Sequence, residues 1–395
     1  MKRFFSYTIL SFFLLLLPTG QASANNNDSI RLSLLTCAPG EEIYSLFGHT
    51  AIRYENSSQG IDVVFNYGLF SFNTPNFIFR FSLGKTDYQL GATDYERFAA
   101  EYAFFGRSVW QQTLNLTDEE KTELIRLLQE NYRPENRVYR YNFFYDNCAT
   151  RPRDKIEESI AGKVIYPAEP QDGSLTFRDI VHQYCKGHPW ARFGIDLCIG
   201  SEADQPITQR QMMFAPFYLM DAFDGAQIKG DSIQRPLITA NELVVDATPE
   251  PDESDWMPTP LQCSLLLFIL TAAATIYGIR RRTGLWGIDL FLFGIAGIVG
   301  CVLAFLALFS QHPAVSSNFL LLVFHPGQLL FLPYIIYCVR KGKKCWYLTL
   351  NLAVLTLFIV LFPVIPQRFD FAVVPLALVL LIRSASNLIV TSKKK

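Results

Sequence analysis

His49 and Cys148 are the two residues of this 395-residue chain whose types and settings suggest covalent chemistry. Cys148 lies where a predicted strand, Val138–Phe143, gives way to a predicted helix that runs to about Ile160. The N-terminus of a helix offers unpaired N–H groups and a positive potential, which lower the pKa of a thiol and can hold an oxyanion. His49 begins a predicted strand directly after Gly48, and an imidazole on a stiff strand is suited to act as a general base.

A histidine base needs an acceptor that orients its second ring nitrogen. Two β-rich runs, His49–Tyr54 and Ile61–Tyr67, are predicted to form a hairpin that closes at Gln59-Gly60. The second strand supplies Asp62 and Asn66 as polar side chains that can lie beside the imidazole. Of these two acceptors we favour Asn66.

Both residues also have a plainer interpretation. A single cysteine is more often core filler or half of a disulfide, and a single histidine more often hydrogen-bonds to a backbone carbonyl. Pro152 argues against a helix that starts at Cys148, because proline breaks the hydrogen-bond ladder inside a helix. A helix that starts near Thr150 accommodates Pro152 in its first turn and leaves Cys148 just before its positive end.

The residues around this pair are weaker candidates. Tyr145, Asp146 and Asn147 either supply an oxyanion donor or shape the turn and cap the helix before Cys148. The guanidinium fork suits phosphate, and the candidates for binding it are Arg53, Arg107, Arg151 and Arg153.

The exported region holds four cysteines, and two of them, Cys185 and Cys198, are close enough in sequence to predict a disulfide. No C-x-x-C pair supports a zinc site, so we predict neither a metal nor another cofactor.

The chain is predicted to be exported and anchored. Residues 1–24 have a basic start, an apolar run and a small-residue cleavage site, Ala22-Ser23-Ala24, as in a secretory signal peptide. Five apolar stretches of about 20 residues, the length that crosses a bilayer, follow in the C-terminal third. They predict an all-α transmembrane domain over 261–390, with spans at 261–279, 287–310, 317–338, 346–364 and 370–390.

The basic residues predict the orientation of these spans. Clusters follow the first, third and fifth spans at Arg280–Arg282, Arg340–Lys344 and Lys393–Lys395. The positive-inside rule then places residues 25–260 in the periplasm and the basic tail, 391–395, in the cytoplasm, so the expected location is the inner membrane. Arg383 is expected to extend to the cytoplasmic face. His325, in the third span before Pro326-Gly327, is either a proton- or headgroup-handling site at a helix break or an interhelical hydrogen-bond partner.

The exported part, 25–247, shows an α+β pattern in which hairpins dominate, and an acidic, proline-rich linker follows at 248–260. Its acidic residues outnumber its basic ones, which makes nucleic acid an unlikely partner because affinity for a polyanion depends on clustered cations.

Four segments resemble one protein family, the lipoprotein N-acyltransferases of Bacteroidota. They are Leu35–Gly40, Tyr44–Arg53, Phe65–Phe70 and Tyr141–Arg151, and the resemblance extends over nearly the whole chain. The chain also resembles circularly permuted papain-like enzymes, in which the histidine precedes the cysteine. The resemblance implies a permuted papain-like domain with His49 as base and Cys148 as nucleophile. Pro152 departs from the expected pattern at the start of the cysteine helix.

The family resemblance implies a two-step acyl transfer. The Cys148 thiol would take a fatty acyl chain from a membrane phospholipid as a thioester and pass it to the N-terminal amine of a diacylated lipoprotein. Two other hypotheses remain open. One is a Cys–His lipid or peptidoglycan amide hydrolase, which uses water as acceptor, and the other is a membrane-anchored sensor or scaffold without catalysis.

Overall fold

The computed structural model describes residues 29–168, 175–230, 234–247 and 257–392. The predicted signal peptide, most of the predicted linker and the last three residues of the basic tail lie outside these ranges. The described residues form an α+β domain followed by a bundle of apolar helices, which confirms the predicted fold class.

A seven-stranded sheet organises the periplasmic domain, with the strand order β10-β5-β1-β2-β3-β4-β6 and antiparallel pairing throughout. Three short strands form a second sheet in the order β7-β8-β9. The strands are β1 Ile30–Cys37, β2 His49–Asn56, β3 Ile61–Leu69, β4 Asp87–Asp94, β5 Val109–Leu114, β6 Val138–Arg140, β7 Lys163–Ile165, β8 Gln227–Lys229, β9 Gln234–Pro236 and β10 Ile238–Val245.

Helices cover both faces of the large sheet. Those of this domain are α1 Phe77–Ser82, α2 Tyr95–Phe104, α3 Asp118–Tyr132, α4 Thr150–Ser159, α5 Phe177–Tyr184, α6 Pro189–Cys198, α7 Gln209–Met212 and α8 Pro216–Asp224. Leu128, Ile156 and Phe223, from α3, α4 and α8, pack with Ile52 on one face. Phe98 of α2 packs against the other face. Successive side chains along a strand therefore point alternately into these two cores.

The sequence signals at the hairpin and at two helix starts are confirmed. β2 and β3 pair from Asn56–Ile61 to Ala51–Asn66. Thr117 and Glu120 form the expected capping box at the start of α3. The cysteine helix, α4, begins at Thr150, so Pro152 falls in its first turn, where its missing N–H costs no helical hydrogen bond.

The membrane part contains helices at α9 Pro260–Arg280, α10 Trp286–Phe309, α11 Pro326–Leu330, α12 Leu332–Lys341, α13 Trp346–Leu361 and α14 Val373–Ser392. Among the described residues α9, α10 and α14 are each long and apolar enough to cross a bilayer. The predicted third span is not one helix, because the segments Phe319–Leu330 and Leu332–Lys341 meet at a bend of 74°. The fourth, α13, is apolar but only 16 residues long.

The expectation that Arg383 extends to the cytoplasmic face is wrong. Its guanidinium is buried between helices, where Nε lies 2.7 Å from Oδ1 of Asp289 and Nη2 lies 3.1 Å from Oδ2. Nη1 also donates to Thr275. A carboxylate on α10 thus holds the guanidinium between the helices, and a charge inside a bilayer is tolerated when it is paired in this way.

His325 lies at the break in the third segment, as the Pro326-Gly327 sequence indicated. Its Nε2 is 3.3 Å from Oδ1 of Asn351, whose amide donates to Ser384 at 3.0 Å. Of the two interpretations, this geometry favours the interhelical hydrogen bond. Asn351 belongs to α13 and Ser384 to α14. The two hydrogen bonds in series therefore link the broken segment to both helices.

The periplasmic domain rests on two loops of the membrane part. Asn318 donates to the carbonyl of Leu197 at 2.7 Å, and Arg368 binds Asp204 at 2.9 Å. Asp204 also pairs with Arg178, a fully buried arginine of α5. These contacts place the loops 311–318 and 365–370 against the α+β domain, at the same end of the helix bundle.

We expect the Arg383–Asp289 pair to stabilise the membrane part only while both partners are present. Arg383→Leu leaves a buried carboxylate without its cation and should cost about 3–5 kcal/mol, seen as a lower thermal midpoint in detergent micelles. The double variant Arg383→Leu with Asp289→Leu should recover most of that loss, and Arg281→Leu at an exposed position should change little. Equal losses in the single and double variants would contradict this account.

Candidate active site

The β2–β3 hairpin brings His49 and Asn66 together. Residues opposite one another in an antiparallel pair share a face of the sheet, as do residues two apart along a strand. Asn66 is opposite Ala51, and His49 lies two residues before Ala51, so the three side chains point to the same side. Nε2 of His49 lies 3.1 Å from Oδ1 of Asn66. Asp62, the other acceptor considered, binds Arg53 instead.

The hydrogen bond to Asn66 defines which nitrogen of His49 is free to act. A carboxamide oxygen only accepts, so the neutral ring carries its proton on Nε2 and donates it to Oδ1. Nδ1 is then the unprotonated nitrogen, and it is the atom that can take a proton from a nucleophile. The arrangement gives the imidazole one defined tautomer and one defined orientation.

Cys148 lies beside the backbone of the histidine strand. The pairing of β2 with β3 ends at Ala51–Asn66, which leaves the N–H of Thr50 beyond the ladder. That N–H lies near enough to the Cys148 sulfur to lower the pKa of the thiol. Gly68, with φ of +97°, turns β3 away from β2 here, and a β-carbon on it would lie 3.6 Å from that of Cys148. The sulfur thus occupies the gap where the two strands separate, next to the residue that follows His49.

Asn147 builds the turn that presents Cys148. Its Oδ1 accepts from the amides of Ala149 and Thr150 at 2.8 and 3.0 Å, and its Nδ2 donates to the carbonyls of Phe143 and Phe214. Both amide hydrogens are therefore used, and the geometry favours turn-shaping over oxyanion binding for this side chain. The cap residue of α4, Ala149, has no capping side chain, so Asn147 satisfies the helix N-terminus in its place.

The two neighbours before Asn147 face outward. Asp146 holds Arg151 in a bidentate pair at 2.6 and 2.7 Å, and that guanidinium lies over the ring of Tyr139. The side chain of Tyr145 is about half exposed. Asp146 therefore stabilises the first turn of α4 through its ion pair with Arg151 at the protein surface.

Burial decides the protonation of the resting pair. It is the main cause that lowers the pKa of His49 to about 4; Arg107 adds to the effect and the Asn66 hydrogen bond opposes it. Burial also raises the pKa of Cys148 to about 11, against the amide hydrogen bonds at the sulfur. The expected lowering of the thiol pKa by the helix N-terminus is thus wrong, since desolvation outweighs it. At neutral pH the site holds a thiol and a neutral imidazole.

Three of the four candidate phosphate-binding arginines are already paired. Arg53 is buried and holds Asp62 and Gln111 across the sheet. Arg153 is buried and bound to Asp154 and a backbone carbonyl, and Arg151 is bound to Asp146. A paired guanidinium has few donors left for phosphate, so these three residues serve mainly to hold the fold together.

Arg107 differs from the other three. Its Nε donates to the carbonyl of Ala38 at 2.8 Å and its guanidinium lies over the ring of Tyr102, but no described carboxylate pairs with it. Its charge contributes to the lowered pKa of His49, which places the cation near the imidazole. Arg107 is therefore the candidate whose remaining N–H groups are available to an anion at this site.

The predicted disulfide is wrong, because Cys185 and Cys198 are both free thiols. Cys185 caps the C-terminus of α5 and packs in a hydrophobic cluster with Ile180 and Phe214. Cys198 ends α6 and is half-buried.

Sequence reasoning missed two parts of the site. The Thr50 amide carries no side-chain signal, since its availability depends on where the ladder of β2 and β3 ends. Gly68 stands inside an otherwise regular strand sequence, and an isolated glycine there does indicate a bend or a close backbone approach.

Taken together, the fold and site define an α+β domain, with a cysteine and a histidine at the end of one strand ladder, joined to a domain of apolar helices. Two family models match the chain, the Lnb N-terminal periplasmic domain over residues 20–182 and the Lnb transmembrane domain over residues 252–395. Together the matches cover most of the sequence, and the chain therefore belongs to the Lnb family of lipoprotein N-acyltransferases of Bacteroidota. A search of curated proteins and a search of solved structures found no match.

The protonation of the resting site makes alkylation of Cys148 pH-dependent. With a thiol pKa of about 11, the thiolate fraction rises about tenfold per pH unit between 7 and 10. We expect the rate of Cys148 alkylation by iodoacetamide to follow this rise in the full-length protein, with Cys148→Ala as the background. A rate that is already at its plateau at pH 7 would show a thiolate–imidazolium pair and contradict this assignment.

Proposed function

We propose that this protein is a thiol acyltransferase that moves a fatty acyl chain from a membrane phospholipid, through a thioester on Cys148, to the N-terminal amine of a diacylated lipoprotein. The observation that carries the proposal is the juxtaposition at the end of the β2–β3 ladder. There, His49 is held by Asn66, and Cys148 lies beside Gly68 with the amide of Thr50, the residue after His49, near its sulfur.

In the first step, the neutral imidazole of His49 takes the thiol proton as the Cys148 sulfur attacks an ester carbonyl of the phospholipid. The carbonyl oxygen becomes an oxyanion, and the donors we propose for it are the N–H groups of Thr50 and Cys148, which also favour the thiolate form of the sulfur. The C–O ester bond then breaks. The imidazolium returns its proton to the departing alkoxide, which leaves as lysophospholipid, and an acyl thioester remains.

In the second step, the amine of the lipoprotein's N-terminal cysteine attacks the thioester carbonyl. His49 removes a proton from the amine, the C–S bond breaks and Cys148 leaves as thiolate. The proton passes to the sulfur, which restores the resting thiol and neutral imidazole. The products are an amide and the starting enzyme, so the cycle requires no cofactor.

The membrane part anchors the domain that carries Cys148 at the surface where the proposed substrates lie. Donor and acceptor are both anchored in the bilayer, and an enzyme tethered to the same surface meets them at a high effective concentration. We infer that the protein spans the inner membrane with its C-terminus in the cytoplasm, as the basic loops after α9 and α12 indicate.

Arg107 is the residue we propose for the phospholipid headgroup. It lies near His49, no described carboxylate pairs with it, and a phosphate lies only a few bonds from the ester carbonyl of the same lipid. A guanidinium there would hold the phosphate while the carbonyl reaches the sulfur.

The remaining hypotheses predict different products. A hydrolase with the same Cys–His pair yields free fatty acid or a cleaved amide, and a sensor or scaffold yields no product. The family membership favours the transferase over both.

The roles of Cys148 as nucleophile and His49 as base can be tested by measuring the acylation of lipoproteins. In a strain that depends on this protein, Cys148→Ala, Cys148→Ser and His49→Ala should abolish the third acyl chain on lipoprotein N-terminal peptides, as read by mass spectrometry. Cys198→Ser, which changes another free thiol of the periplasmic domain, should leave that chain in place. Triacylated peptides in the Cys148→Ala strain at wild-type levels of protein would overturn the proposal.

Asn66 can be tested as the residue that orients His49. Asn66→Ala removes the 3.1 Å hydrogen bond and frees the imidazole to rotate, so we expect kcat to fall about 10²-fold with little change in KM. Asn66→Gln, which retains a carboxamide, should recover part of the rate. The measurement is acyl transfer from labelled phospholipid to a diacylated peptide, and an unchanged kcat in Asn66→Ala would remove Asn66 from the mechanism.

A further inference from the structure

The loop between β3 and β4 carries an unusual set of exposed aromatic residues. Its short helix, α1, has the sequence Phe-Ile-Phe-Arg-Phe-Ser and contains no buried residue. Phe72, Ile78 and Phe79 are 65%, 80% and 59% exposed. Such a patch indicates a surface that is covered by something apolar.

One end of this loop is attached to the membrane part. The ring of Phe79 lies 6.1 Å from that of Phe305, near the periplasmic end of α10. Nε2 of His312, just beyond that helix, contacts the carbonyl of Phe81, and the amide of Gln311 donates to the carbonyl of Leu83. The exposed face of α1 is therefore continuous with the bilayer-facing surface of a membrane-spanning helix.

The other end of the loop reaches Cys148. β3 passes the cysteine at Gly68, and Phe70 follows two residues later. Phe70 contacts Phe72 at 4.9 Å and stacks on Phe77 at 5.9 Å, and Phe77 stacks on Phe81 at 6.1 Å. We call these five rings, Phe70, Phe72, Phe77, Phe79 and Phe81, the aromatic run. The run lies between Gly68, which is beside Cys148, and Phe305 of α10.

The only cation of α1 does not interrupt this apolar surface. Arg80 pairs with Asp87 at 2.6 Å, so the helix presents no unpaired charge among its described residues. An amphipathic segment of this kind can lie in the interface with its apolar face among acyl chains.

We propose that the aromatic run is the acyl-chain path of this enzyme: α1 lies in the outer leaflet, and the run covers the chain of a phospholipid as its ester carbonyl moves to Cys148. The inference deepens the proposed function and rests on it. A carbonyl that rises from the leaflet exposes methylene groups to water, and every exposed methylene adds to the cost of reaching the sulfur. Aromatic rings along the path replace that water with apolar contact.

The contact with lipid can be measured without activity. Benzoylphenylalanine is placed at position 72 or 79 of the full-length protein in vesicles of phosphatidylethanolamine and phosphatidylglycerol with radiolabelled acyl chains. Ile165, an exposed apolar residue of β7, serves as the matched control position. Illumination should label positions 72 and 79 at least tenfold more than position 165. Equal labelling at the three positions would overturn the proposal.

The proposed acyl-chain path can be tested by comparing donors with long and short acyl chains. In the double variant Phe72→Ser with Phe79→Ser, we expect the ratio of acyl transfer from a palmitoyl phospholipid to transfer from a soluble butyryl thioester to fall at least tenfold. Ile165→Ser should leave the ratio unchanged. An unchanged ratio in the double variant would overturn the acyl path and leave the proposed function intact. Absence of any Cys148-dependent transfer in the wild type would overturn the proposed function and the path together.

Discussion

The site depends on the place where β2 and β3 stop pairing. Up to Ala51 and Asn66 the ladder satisfies the backbone, and beyond that point Gly68 turns one strand away. The amide of Thr50 then lies beyond the β2–β3 ladder, near enough to the Cys148 sulfur to lower the pKa of the thiol. The same hairpin sets the register that places Asn66 beside His49. A shift of one residue in this register would place Asn66 and His49 on opposite faces of the sheet.

Burial gives this site a particular chemical character. The imidazole has a pKa of about 4 and the thiol a pKa of about 11, so the resting enzyme avoids a buried ion pair. In the proposed mechanism, charge develops only when the sulfur attacks, and it develops near two backbone N–H groups. A protonated thiol is also protected in the periplasm, because the thiolate is the form that oxidises.

Local signals in the sequence predict much of this arrangement. The alternation and turn residues around Gln59-Gly60 indicate the hairpin, and the hairpin indicates Asn66. Pro152 indicates that α4 starts after Cys148. Features that depend on tertiary contacts are not predictable in this way. Arg383 has a carboxylate partner 94 residues away, and desolvation of Cys148 outweighs the effect of the helix that follows it. Neither effect leaves a periodic or compositional trace in the sequence.

The central claim is that an acyl chain resides on Cys148, and intact-mass spectrometry tests it most directly. The purified full-length protein is incubated with dipalmitoyl phospholipid and no acceptor. The account predicts a mass increase of one palmitoyl group on the peptide that contains Cys148, and its removal by neutral hydroxylamine, which cleaves thioesters. If lysophospholipid forms while Cys148 stays unmodified, or if the acyl group is found on another residue, the claim is contradicted.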